Sequence, residues 1–190
     1  MIQLFKKMPG KRKPSTKKQS VKKSTIKKSV KKASLIKTTI KVYIKTPLPD
    51  LYAKQILTSG FCNRGKSVGV DENWLAFQMG RAPIVLVSVT NNDEVAGFLL
   101  AFNYDKSVEE GKRGYRDGWQ LDTICRDPHP TFKHVAGTLI SKLIDIAKMQ
   151  KKKVKYIGLY ATSAQAAEAY QKYGFEQEPE KRKNHMILYL

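Results

Sequence analysis

Acidic side chains are missing from the whole opening stretch of this 190-residue chain. Residues 1–45 carry sixteen Lys or Arg and no Asp or Glu, the first carboxylate being Asp50. The rest holds 20 basic against 16 acidic side chains, so only +4 of the formal net charge of +20 belongs to it. That imbalance predicts a polycationic arm on a mildly basic globular domain. Cysteine is scarce as well. Cys62 and Cys125 supply no disulfide framework and no metal-ligand spacing, and His129, His134 and His185 do not cluster with them. A reducing, intracellular setting, cytoplasmic or nuclear, is the simplest account, and no metal site is expected. Long apolar runs are absent too. Residues 95–102 make a run of eight, far short of the about 20 that a helical membrane span needs. The opening Met1-Ile-Gln-Leu-Phe5 is too brief for a signal-peptide core, and its lysines follow instead of preceding it.

What the arm does have is lysine doublets, at 17–18, 22–23, 27–28 and 31–32, separated by Ser, Thr, Val or Ile. No helical stripe and no strand alternation survives that spacing, so residues 1–38 read as a disordered tail. Closely spaced lysines release counterions on meeting phosphates, which gives salt-sensitive affinity without sequence preference. Nucleic acid, an acidic protein surface and anionic lipid all remain open as partners, as does a merely solubilising role. Gly10-Lys-Arg-Lys-Pro14 would serve as a nuclear localisation signal where a nucleus is present.

Residues 39–190 are ample for one core and too few for two typical domains. Alternation predicts a strand over 39–45, with Asp50 capping a helix to about 58. A short helix follows over 71–79, with acids in its first turn. Dense β-branched residues at 83–90 and 95–102 predict two strands around the turn at 91–94. A polar excursion over 105–117 leads to a strand at 119–125. A helix over 136–151 buries Leu139, Ile140, Leu143, Ile144 and Ala147. Strands at 154–160 and 185–190 complete the pattern, an α+β chain with a mixed sheet between helical layers.

Residues 163–175 carry the most chemistry. Ala166, Ala169, Tyr170 and Tyr173 fall at the spacing of one buried helical face, and Gly174 stands where a helix ends in the left-handed conformation. Tyr170 is placed with its ring in the core and its hydroxyl at an edge. A packed aromatic whose hydroxyl meets solvent is the alternative reading.

Residues 84–190 resemble the GNAT N-acetyltransferases. That family ends on a segment of the form N-x-x-A-x-x-F-Y-x-K-x-G-F. This chain has Ser163, Ala166, Ala169, Tyr170, Lys172, Gly174 and Phe175 in those slots. Upstream, the family's Q/R-x-x-G-x-G/A loop falls on Thr131, Lys133, His134, Val135 and Ala136, where Thr131 replaces Gln or Arg and His134 replaces a glycine. The resemblance implies a mixed, mostly antiparallel sheet with a splayed strand pair, acetyl-CoA as co-substrate, and direct acetyl transfer to a primary amine. Pyrophosphate would sit at the helix start on backbone N–H groups of residues 131–138, with Lys133, His134, Gly137 and Thr138 adding donors and charge. The pantetheine arm would lie beside Ile124, Cys125 and Arg126, with Ser163 near the cofactor. Tyr170 is implied as the acid that protonates the leaving thiolate. Asp122 is the best acidic candidate for the base, on the same face as Ile124 by alternation, and a satisfied surface carboxylate is its alternative. Gly158 lies where some relatives carry an acid. A lysine-like amine costs roughly 4–5 kcal/mol to deprotonate near neutral pH, an α-amine about 1. Residues 50–78 and 177–184 are expected to bind the acceptor. A nucleic-acid-binding or packaging protein whose GNAT-like domain binds CoA without turnover is the competing reading.

Overall fold

The computed structural model describes residues 35–62, 71–81, 83–103, 117–150, 154–178 and 184–190. Residues 1–34 of the arm, 105–116 of the polar excursion, and 63–70 and 179–183 of the expected acceptor regions lie outside them. The elements run in the order β1 (Thr39–Ile44), α1 (Asp50–Ser59), α2 (Glu72–Gly80), β2 (Ile84–Val89), β3 (Val95–Asn103), β4 (Gly118–Arg126), α3 (Val135–Met149), β5 (Tyr156–Tyr160), α4 (Ala164–Gln171), β6 (Glu176–Gln177) and β7 (His185–Tyr189). A single 3-10 turn, Pro130–Phe132, precedes α3. The seven strands form one sheet in the order β1-β2-β3-β4-β5-β7-β6. Only β4 and β5 run parallel, as the α3 crossover between them requires. The α+β architecture with a mostly antiparallel sheet is as the sequence led us to expect.

β2 is buried along its whole length because both of its faces are covered. Leu86 faces a cluster with Leu99, Leu139, Leu143 and Ile157, the α3 side. Val85 and Val87 face the other cluster with Phe98, Leu100, Tyr52 and Ile56, the α1 side. Period-2 alternation within one apolar strand thus serves two cores. The α3 stripe of Leu139, Ile140, Leu143, Ile144 and Ala147 is buried throughout, extended by Val135 and Ile146.

Three local expectations need correction. Asp50 is the first residue of α1 and not its cap; Pro49 holds the cap position and offers no side-chain bond. The α2 cap is Asp71, whose carboxylate accepts the Trp74 N–H at 2.7 Å. On α4 the half-buried stripe is Ala166, Ala167, Tyr170 and Tyr173, while Ala169 is exposed. Gly174, at φ +86°, ends that helix, and the Phe175 N–H reaches back to the Tyr170 carbonyl at 3.4 Å.

The cysteines also depart from expectation. Cys62, just past α1, is disulfide-bonded to Cys125 on β4, 63 residues away, with Cα atoms 5.6 Å apart. Spacing along the chain cannot show that the end of α1 comes down on β4. The cysteine argument for a reducing setting falls with this bond, since structural disulfides persist in oxidising ones. Among the described residues no helix is long and apolar enough to cross a membrane.

Candidate active site

A gap between two strands defines the site. β4 and β5 pair from Gly118 opposite Tyr156 to Leu121 opposite Leu159, and there the ladder stops. β4 runs on to Arg126, held only on its other side, where Arg126 lies opposite Gly97 of β3. The cause is a bulge. Leu100 faces Thr123 and Ala101 faces Leu121, so Asp122 is the extra residue. Bulges bend a strand and raise its twist, which here carries β4 away from β5. The β5-facing backbone groups of residues 122–126 are thereby free of a strand partner and available to amides of a bound molecule.

The bulge also corrects the reading of Asp122. Leu121 and Ile124 both pack in the α3-side cluster although they are three residues apart, so alternation through Asp122 does not hold. Asp122 is exposed, and its Oδ2 accepts the Thr123 hydroxyl at 2.8 Å. Ile124 is partly buried against the same cluster as Tyr170. Cys125 faces the α1 side and is held in the disulfide. Arg126 donates from Nη1 to the Asp127 carbonyl at 2.6 Å.

Beside the gap, α3 begins without a side-chain cap, its cap position being His134. The first-turn N–H groups therefore have no intrahelical acceptor, and the positive end of the helix favours an anion there. A cleft of about 550 Å³ opens along this end, lined by Lys133, His134, Gly137, Thr138, Lys142 and Tyr173 among others. Tyr173 was missed as a site residue because its helical spacing marks it as core. Its hydroxyl oxygen stands 2.3 Å from where a Cβ on Gly137 would be, so Gly137 admits the Tyr173 ring to the cleft.

Two predicted residues, Val135 and Thr131, turn inward. Val135 has no exposed surface, so only its backbone can serve. Thr131 is buried, and its Oγ1 lies 2.7 Å from His129 Nδ1 within the 3-10 turn. Thr138 donates its hydroxyl to the Val135 carbonyl at 2.9 Å. Ala136 is half-buried in the first turn. Ser163 caps α4, its Oγ accepting the Ala166 N–H at 3.1 Å.

Gly97 fixes the distance between β4 and α3. A Cβ there would come within 2.7 Å of Val135 Cγ1 and 2.8 Å of the Cys125 carbonyl oxygen. We expect Gly97→Ala to cost about 1–3 kcal/mol in a denaturant titration, the usual range for overpacking. An unchanged midpoint would show that β4 and α3 separate freely.

Tyr170 is partly buried and meets Phe175 edge-on, ring centroids 5.9 Å apart. Burial pushes its phenol above the ordinary tyrosine value, which holds the proton on oxygen.

On the sheet face opposite α3, sequence reasoning missed a second polar group. His185 on β7 is fully buried, and its Nδ1 lies 2.8 Å from Glu178 Oε2. The Tyr160 ring packs 4.9 Å from the imidazole. No spacing rule links a histidine opening a strand to a glutamate seven residues earlier, so the sequence carried no signal for the pair.

No family model matches this chain, and no curated protein sequence matches it. Solved structures do. A GNAT-family acetyltransferase from Staphylococcus aureus Mu50 superposes with TM-score 0.57 at 12% identity, over 80% of this chain and 99% of that one. A mutant AtaT toxin, bound to the C-terminus of the antitoxin AtaR and acetyl-CoA, gives 0.56 at 12%, over 80% and 92%. The ribosomal-protein-S18-alanine N-acetyltransferase of Escherichia coli gives 0.52 at 19%, over 80% and 93%. The parted β4–β5 pair, the uncapped start of α3 and these superpositions agree: this chain has the GNAT acyltransferase fold.

Proposed function

We propose that this protein is an acetyl-CoA-dependent N-acetyltransferase acting on a primary amine by direct attack. The observation that carries this reading is the β4–β5 ladder ending at Leu121 and Leu159 beside the uncapped start of α3. One opening supplies backbone groups for the amides of a pantetheine arm, and the other supplies N–H groups for a pyrophosphate. Lys133 and Lys142 at the cleft favour the same anion, against one carboxylate there, Asp145. When bound, acetyl-CoA supplies the activated thioester. The neutral amine would attack its carbonyl carbon, the C–S bond would break as Tyr170 protonates the departing thiolate, and the acylated nitrogen would lose its surplus proton to solvent, from which Tyr170 is reprotonated. A phenol held protonated by burial remains a competent acid across neutral pH.

The acceptor reads best as an α-amine on an assembly rich in phosphate. Such an amine is cheap to deprotonate near neutral pH, and the arm's lysines would bring the enzyme to the polyanion. The E. coli neighbour is named for an alanine of a ribosomal protein. Removing residues 1–38 should abolish salt-sensitive retention on DNA or RNA columns and leave thioester turnover on a free amine unchanged. Retention that survives the deletion would place the polyanion site on the folded domain.

A second reading keeps the CoA site and drops the chemistry. It is favoured by Thr131, whose side chain is turned into the 3-10 turn, and by His134 in a slot where the family has glycine. Intact-mass measurement after incubation with acetyl-CoA and a panel of amines separates the two. The transferase reading predicts acceptors gaining one acetyl group, whereas cofactor binding without any acetylated product supports the second.

A further inference from the structure

Gly137 makes room for a single atom at the first turn of α3. A Cβ there would fall against the Tyr173 hydroxyl oxygen, too close for any side-chain carbon, but 3.5 Å from Tyr173 Cζ. The second distance is ordinary van der Waals contact. An alanine would therefore fit beside a phenylalanine ring and not beside this phenol. The hydroxyl alone requires the glycine, although glycine weakens a helix relative to alanine.

Packing does not account for that oxygen. The Tyr173 ring is half-buried against the α3-side cluster, where a phenylalanine would pack as well. The hydroxyl has no hydrogen-bond partner among the described residues. Tyr173 lines the cleft with Lys133, His134, Thr138 and Lys142. Its surroundings are rich in donors. Gly137 is the third residue of α3, and the N–H groups of residues 135–137 have no intrahelical acceptor. The Thr138 N–H is the first one taken, bonded to the His134 carbonyl at 3.1 Å. Asp145 is the one carboxylate on the cleft lining, and no bond joins it to the phenol. The phenol thus offers its proton alongside ammonium and backbone N–H groups, a set that converges on an anion.

We propose that the Tyr173 hydroxyl donates to a diphosphate oxygen of acetyl-CoA and that Gly137 is kept to admit it, an inference that rests on the cofactor site proposed above. The start of α3 supplies backbone donors to the diphosphate, and the turn that ends α4 supplies a side-chain donor. Tyr173 takes no part in the proton transfers. It does tie the phosphate grip to the acid, because its N–H donates to the Tyr170 carbonyl at 2.9 Å. The residue that holds the diphosphate and the one that meets the thiolate belong to one turn.

The test uses the full chain and three probes: acetyl-CoA, S-acetylpantetheine (the same thioester arm without phosphates) and inorganic pyrophosphate. Acetyl-CoA binding is measured by calorimetry, and the two fragments are followed as its competitors. Tyr173→Phe should weaken acetyl-CoA and pyrophosphate by about tenfold, the worth of a hydrogen bond to a charged group, and leave S-acetylpantetheine as in the wild type. A general loosening of the fold would weaken all three, so the contrast separates ligand contact from a structural role. Gly137→Ala should weaken acetyl-CoA by a similar factor, because its Cβ displaces the hydroxyl. In the Tyr173→Phe background the same substitution should weaken it no further. A Tyr173→Phe protein that binds acetyl-CoA like the wild type overturns this proposal alone. So does one that loses S-acetylpantetheine to the same degree, or a double variant in which the two losses multiply. A wild type that does not bind acetyl-CoA overturns the cofactor reading and this proposal with it.

Discussion

Replacing Tyr170 with phenylalanine should lower kcat by at least about tenfold and leave acetyl-CoA affinity nearly unchanged. A positioned proton donor typically contributes about 10²–10⁴-fold. The substitution removes one oxygen from a ring packed against Phe175 and the α3-side cluster, so folding should survive it. Without the phenol, a thiolate near pKa ~8.5 must depart unprotonated or take its proton from water reaching the site, which would recover part of the loss. The loss should appear in kcat and kcat/KM together, the signature of an interaction made only in the transition state. The pH profile adds a sign. Burial raises the Tyr170 phenol, so the donor keeps its proton through neutral pH and the alkaline limb should fall above about 10, the ordinary tyrosine value. A Tyr170→Phe enzyme with the wild-type rate would remove the tyrosine from the mechanism, and the source of the thiolate proton would have to be sought elsewhere.

Breaking the Cys62–Cys125 bond should be the most destabilising single change outside the core. The bond closes a loop across 63 residues. Loop-closure entropy for such a span is worth roughly 4 kcal/mol, and measured disulfides range from about 0 to 5. Cys62→Ser, compared with the oxidised protein in a denaturant titration, should lower stability by about 2–4 kcal/mol. The consequence for function follows from where the bond lies. Cys125 belongs to the stretch of β4 that has lost β5 as a partner and keeps β3, so the disulfide adds a second tie, to the end of α1, on that strand end. Reduction should therefore weaken acetyl-CoA binding as well as lower the unfolding midpoint. A reduced protein with the oxidised midpoint would show that the end of α1 stays on β4 without it.

Much of the fold was legible because local patterns were strong. The apolar stripe of α3 and the β-branched runs of β2 and β3 leave little choice of element, and each lies within a residue or two of its expected place. Tyr170 and Gly174 could be picked out because the family segment fixes their spacing. What was not legible depends on contacts between distant parts of the chain. The bulge at Asp122 exists because β3 and β4 pair out of step, and it overturned an argument from alternation within β4. The disulfide joins positions far apart in sequence. His185 and Glu178 meet only because β6 and β7 fold back on each other. Thr131 and His134 look like losses in the loop motif, yet the first is a buried hydrogen-bonding partner and the second lines the cleft.

The central claim, that the gap between β4 and β5 and the start of α3 together hold acetyl-CoA, is tested most directly by thermal unfolding of the full chain with and without the cofactor. Ligand at about 100 times its Kd stabilises by roughly 2.7 kcal/mol, which for a domain of this size raises Tm by about 5–10 °C. Acetyl-CoA should give that rise, and Gly97→Ala should reduce it. A Tm that does not move at millimolar acetyl-CoA would contradict the account.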